Sequence, residues 1–161
     1  MQRKLQHSYA RGAGLVEVLV ALVVIAVGML GVASLYVTTL QAKTTSQSRM
    51  QAVNLATDIA ERIRANRSAG SSYALASLTA AATDPNKGCI ETASATANEC
   101  SEEDMAATDL YEWSTLVSNT LPGTVTGRIT VSGASPATYT ITLGWSEPTS
   151  SGLSYVLEMQ I

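Results

Sequence analysis

Glu17 is the residue whose position asks for a chemical reason. It sits near the start of "RGAGLVEVLVALVVIAVGMLG", residues 11–31, and it is the only charge between Ala13 and Leu35. A carboxylate at the centre of a membrane segment costs about 2.5–3.5 kcal/mol on insertion scales, and less near an end, where it can reach the headgroups. The plain reading is an interfacial acid. The sharper reading is an acid that awaits a cation, and an α-amino group freed by a cut just upstream would supply one. The other residues able to do chemistry are few. Cys89 and Cys100 lie eleven positions apart in a Thr-, Ser- and Asn-rich stretch. In an exported domain they read as a disulfide, contributing roughly 3 kcal/mol through loop closure, and otherwise as two free thiols. Two cysteines alone make no zinc site. His7 is the only histidine, and the cut would remove it. The remaining chain then has no imidazole to act as base, nucleophile partner or metal ligand. The acids of "SEEDMAATD" read as a solvated helix start rather than a cation site. No phosphate-binding glycine loop is present. The expectation is a protein without catalytic activity, cofactor or metal.

The element that carries Glu17 is long. Val18–Val37 holds twenty uncharged residues, and a helix of that length spans roughly 30 Å, the thickness of a bilayer core. Arg3, Lys4 and Arg11 precede it. The positive-inside rule keeps that end cytoplasmic and exports the rest. A cleaved secretory signal, with "GVAS" at 31–34 as its site, would need a shorter apolar core. That signal and a plain uncleaved anchor are the alternatives, and neither explains Glu17. Beyond the leader the chain carries seven bases and thirteen acids, which gives no electrostatic footprint for nucleic acid.

The helical pattern continues to about Arg67. Ala52, Ala56, Ile59 and Ile63 recur at helical spacing with Met50, Val53 and Ala60 beside them, and Asp58 and Arg62 form an i,i+4 pair. The spine therefore divides into a transmembrane half, 13–38, and an amphipathic half, 39–67. Gly28 and Gly31 read as ordinary membrane-helix glycines or as a site of close approach. A head, 68–161, follows. It begins with a connecting region, 68–102, holding the cysteines and a short helix in "SSYALASLTAAA". A helix at 103–120 has acids in its first turn and Leu110, Trp113, Val117 and Leu121 on its buried side. Three alternating stretches within 123–161, "TVTGRITVS", "TYTITLGW" and "LSYVLEMQI", predict an antiparallel meander on the spine. The fold class is α+β, with both tryptophans in the core.

"RGAGLVEVLVAL" resembles the class III signal of type IV prepilins and pseudopilins: a short basic leader ending in glycine, then glutamate fifth in the mature chain. Gly12 would end the leader (1–12) and Ala13 would be the new N-terminus. Ala13 and Gly14 stand where the family usually has a bulky apolar residue and threonine. The resemblance implies a pilin-like fold. It also implies that prepilin peptidase cuts Gly12–Ala13 and methylates the Ala13 amine, which then pairs with Glu17 of a neighbouring subunit. "EVLVALVVIAVGMLGVASL" followed by "AVNLATDIAERIRANR" is similar to the PilV-type minor pilins, or type IV pilus modification proteins. Membership there implies a subunit anchored in the inner membrane of a Gram-negative bacterium, its head in the periplasm and later in the fibre at the cell surface. Its partners would be prepilin peptidase, other minor pilins, the major pilin and a tip adhesin, in a complex that initiates pilus assembly and serves adhesion or twitching. The alternatives are a minor pseudopilin of a type II secretion system and a non-polymerising membrane-anchored periplasmic binding domain.

Overall fold

The computed structural model describes residues 14–85, 89, 100–133, 136–148 and 150–161. Its order is helix α1 (Leu15–Ala65), two short 3-10 turns (Arg67–Tyr73 and Leu78–Ala81), helix α2 (Glu102–Thr120), and strands β1 (Thr126–Val131), β2 (Thr138–Glu147) and β3 (Ser150–Gln160). The chain divides into two compact units, Met1–Lys43 and Thr44–Ile161, and α1 is the element in which that division falls.

In the first unit every described residue from Gly14 to Lys43 is exposed. The apolar side chains of this half have no protein to cover them. Leu15 is 86% exposed and Leu30 71%.

The second unit has its own core. Along α1, Ala52, Leu55, Ala56, Ile59, Ala60 and Ile63 are buried, the stripe expected of a helix with one covered side. Met50 and Val53, grouped with that stripe by spacing, instead face solvent, and Leu55 takes the place beside it. The reason is angular: the buried arc runs through 52, 55, 56, 59, 60 and 63, and 50 and 53 fall outside it. The helix ends at Ala65, two residues before the sequence reading had it end, because the backbone tightens into the Arg67–Tyr73 turn. That turn is broken by Gly70 at φ 53°. The short helix expected in 71–82 is the single 3-10 turn at Leu78–Ala81.

Helix α2 starts where the sequence places it. The Ser101 hydroxyl accepts from the Asp104 amide at 3.2 Å, and Glu102, Glu103 and Asp104 occupy the dipole-favoured first turn. Leu110, Trp113 and Val117 are buried, as is Leu121 just beyond. Fully buried Trp113 donates its indole N–H to the Leu55 carbonyl at 2.8 Å, which ties α2 to the spine and leaves no orphaned donor in the core.

The sheet is an antiparallel meander in the order β1-β2-β3. Pairing runs Thr126↔Gly144 to Val131↔Tyr139 on one side of β2. On the other it runs Thr138↔Gln160 to Trp145↔Leu153, with an irregularity near Glu147. Central β2 alternates strictly, burying Tyr139, Ile141, Leu143 and Trp145, so one face joins the core cluster with α1 and α2. The outer edge of β1 is closed by the chain itself: Leu75 and Ile129 exchange both backbone hydrogen bonds at 2.9 Å. Cys89 and Cys100 form a disulfide with Cα atoms 5.7 Å apart, the separation such a bond requires.

The turn from α2 into the sheet depends on Gly123. Its φ is 68°, and a Cβ there would lie 2.3 Å from the Ser146 backbone oxygen. Neither the conformation nor the space admits a side chain. Gly123→Ala is expected to lower stability by about 2 kcal/mol or more, read as a shift of the urea unfolding midpoint; an unchanged midpoint would refute the steric account.

Candidate functional site

Glu17 lies in the first turn of α1. The helix is started by Gly14, whose carbonyl accepts from the Glu17 amide at 2.9 Å and the Val18 amide at 3.3 Å. Gly12 and Ala13 lie outside the described residues, so the proposed cleavage position has no described geometry. From Gly14 to Ala42, Glu17 is the only charged side chain, and the residues that follow it from Val18 to Ala33 are all exposed and apolar. α1 is the one helix among the described residues long and apolar enough to cross a membrane by length and composition. A contiguous exposed apolar surface of this size needs either lipid or other protein, and a helix is a form in which a chain can enter lipid with its backbone satisfied. The polar side chains toward the end of the apolar run are satisfied locally. Thr38 Oγ1 donates to the Leu35 carbonyl at 2.8 Å and Thr39 Oγ1 to the same carbonyl at 2.6 Å. Apart from the adjoining backbone of α1 and their own chain neighbours, Gly28 and Gly31 have no heavy atom within 4 Å of where a Cβ would stand.

A second cluster of ionisable groups lies in the head unit and holds α2 against the spine. Arg62 Nε donates to Asp58 Oδ2 at 3.2 Å. Its Nη1 donates to Asp109 Oδ1 at 3.0 Å and Glu112 Oε2 at 2.9 Å. Asp109 is buried and accepts on its other oxygen from the Tyr73 hydroxyl at 2.5 Å. Asn66 Nδ2 donates to the Glu102 carbonyl at 2.7 Å and to Tyr73 Oη at 3.3 Å. Burial by itself would lower the pKa of Arg62, but its hydrogen bonds to Glu112 and Asp109 and the charge of Asp58 outweigh it and raise the value further. Burial raises the Tyr73 hydroxyl, and donation to Asp109 raises it again. The Asp58–Arg62 pair was visible in the sequence, whereas Asp109 and Glu112 lie 47 and 50 residues from Arg62 and Tyr73 sits in a separate turn, and no local spacing announces them.

A third contact ties the sheet to the spine. Thr45 Oγ1 donates to Glu147 Oε2 at 2.6 Å and Trp145 Nε1 to Glu147 Oε1 at 3.3 Å. The Thr45 hydrogen bond leads in holding the Glu147 carboxyl below its ordinary value, and the Trp145 bond adds to it.

These arrangements orient and fasten; none sets a nucleophile beside a base. Among the described residues no group of three or more His, Cys, Asp or Glu is placed to hold a metal ion. Asp109, one of the acids in "SEEDMAATD", is committed to Arg62 and Tyr73.

Residues 7–33 match the family model described as the prokaryotic N-terminal methylation motif. Residues 34–111 match the model described as type IV pilin Tt1218. No curated protein and no solved structure matches. The methylation-motif match spans Gly12, Ala13 and Glu17, and the second covers the rest of the spine and the head through the first half of α2.

Tyr73 supplies a pH test. Above about pH 10, the ordinary tyrosine value, the unfolded chain loses this proton while the fold retains it. Stability is therefore complete below that pH and falls as pH rises toward the folded value. Tyr73→Phe should cost about 1.5–3 kcal/mol at pH 7 through the lost hydrogen bond to a charged group. It should also flatten the loss of unfolding free energy between pH 9.5 and 11. Equal alkaline slopes for both proteins would rule out Tyr73 as the group responsible.

Proposed function

Given that this chain is a type IV pilin-like protein, we propose that it is a minor pilin: a low-abundance subunit of a type IV pilus that enters the complex initiating the fibre and stays at its tip. The observation that carries the reading is Glu17, a lone carboxylate on an exposed apolar helix, inside a segment matching the methylation motif. In this reading prepilin peptidase cuts after Gly12 and methylates the amine of Ala13. The stem, residues 13–38, lies in the inner membrane, and the head, residues 68–161, faces the periplasm at the end of the amphipathic segment 39–67.

The mechanism follows from solvent physics. Apolar stems gain little by meeting in lipid, because lipid is equally apolar. An ammonium at residue 13 of one subunit and a carboxylate at residue 17 of the next make a contact with direction and register. Such pairs specify arrangement more than they add net stability. The head is held to the second half of the spine by the Arg62–Asp109–Tyr73 cluster and the Trp113–Leu55 bond, and in this reading its outer surface meets the other minor pilins, the major pilin and a tip adhesin.

Mass analysis of the chain from its own membranes should give an N-terminus at Ala13 carrying one methyl group; an intact Met1 in fibre-incorporated protein would overturn the reading. Glu17→Ala is expected to insert in the membrane at normal levels and to fall at least tenfold in the sheared pilus fraction. Deletion should abolish or sharply reduce surface pili. Lost protein secretion with normal piliation would assign the chain to a secretion pseudopilus instead.

A further inference from the structure

The head grips α1 in two different ways. From Ala52 to Ile63 the grip is apolar: Ala52, Leu55, Ala56, Ile59, Ala60 and Ile63 are all buried. From Thr45 to Gln51 it is polar. Met50 is the only apolar side chain in those seven residues, and it is 65% exposed. What the head covers there is Ser48, buried, with Thr45 and Gln51 half-buried. One carboxylate meets this stretch. Glu147 continues the core-facing row of β2 after Tyr139, Ile141, Leu143 and Trp145, so a charge stands where an apolar residue would be expected. The strand register shifts between Trp145 and Glu147, an irregularity of the kind that re-aims a side chain. Glu147 Oε2 accepts from Thr45 Oγ1 at 2.6 Å and Oε1 from Trp145 Nε1 at 3.3 Å. After the Thr45 bond, the Ser48 hydroxyl and the Arg49 charge also favour its ionised form. The stretch is weak as a helix. Thr44, Thr45, Ser46 and Ser48 have lower helix propensity than alanine or leucine. Ser48 Oγ donates back to the Thr44 carbonyl at 3.1 Å, a bond that slightly destabilises a helix.

We propose that Glu147 is a releasable latch that decides how much of α1 the head holds. With the latch closed, the cover begins at Thr45; with it open, the cover begins at Ala52. Opening adds seven residues to the uncovered helix, about 10 Å at 1.5 Å per residue. The open form is within reach because few buried apolar contacts oppose it, which is what marks the parts of a fold that open locally. The apolar grip from Ala52 to Ile63 and the Trp113–Leu55 bond stay in place, so the head keeps its core while the lower segment is released. The device lies wholly within the unit Thr44–Ile161 and stands whether or not the chain enters a fibre.

Arg49 lies inside the latched segment and reports its opening to trypsin, because cleavage follows the population of the open form. In the full-length chain held in detergent, cleavage after Arg49 is expected to run at least tenfold faster than cleavage after Arg128, at the centre of the sheet on β1. It should also change little with urea below the unfolding transition, since releasing seven residues exposes little surface. Glu147→Ala should raise the Arg49 rate at least fivefold. Thr45→Val, which removes the donor and leaves the carboxylate, should raise it too, and the double variant should match Glu147→Ala. The valine variant carries the test if the alanine variant does not fold. Cleavage after Arg49 that tracks global unfolding, with the urea dependence of Arg128, would overturn the local opening. An Arg49 rate unmoved by either substitution would overturn Glu147 as the latch.

Discussion

A single helix here has to satisfy two solvents. From Val18 to Ala33 its side chains are apolar on every side and exposed, which suits lipid. From Ser48 to Ile63 it buries one stripe and keeps the other wet, which suits a globular head. The remaining architecture answers to that second stripe. α2 lies where Trp113 can reach the Leu55 carbonyl, the sheet closes the core with β2, and Arg62 gathers carboxylates from both helices. Without a covered stripe the head would have no partner for the apolar face of its sheet, and three strands alone are marginal in water.

The same division shows in the polar contacts of the head. Several of its ionisable groups fasten elements together: Asp109 joins Arg62 and Tyr73, Glu147 joins Thr45 and Trp145, and the first-turn acids complement α2.

Much of this was legible from residues alone because it is local. Helical spacing marks Ala52, Ala56, Ile59 and Ile63; period-two alternation marks Tyr139, Ile141, Leu143 and Trp145; and Ser101 followed by three acids marks the start of α2. Glu17 was conspicuous because a charge in an apolar run has no structural use by itself. What stayed hidden is what the chain makes over distance. Leu75 pairs with Ile129 across more than fifty residues, and nothing in "SSYALASLTAAA" announces an edge-capping segment. Asp109 reads as one more surface acid until Tyr73 and Arg62 converge on it. The misplacement of Met50 and Val53 has a similar cause: in an alanine-rich helix, the apolar arc is set by what packs on it.

The threonine pair at 38 and 39 has a mechanical corollary. Both hydroxyls are occupied by carbonyls of the preceding turn, so neither ends the uncharged length at Val37, and the next charge is Lys43. At about 1.5 Å per residue the uncharged stretch measures roughly 37 Å against a hydrocarbon slab of about 30 Å. In a bilayer that surplus would give the helix vertical play: it could ride up by about a turn, or tilt, before either terminal charge was dragged into oil. Such slack would let a piston-like lift out of the bilayer begin at low resistance.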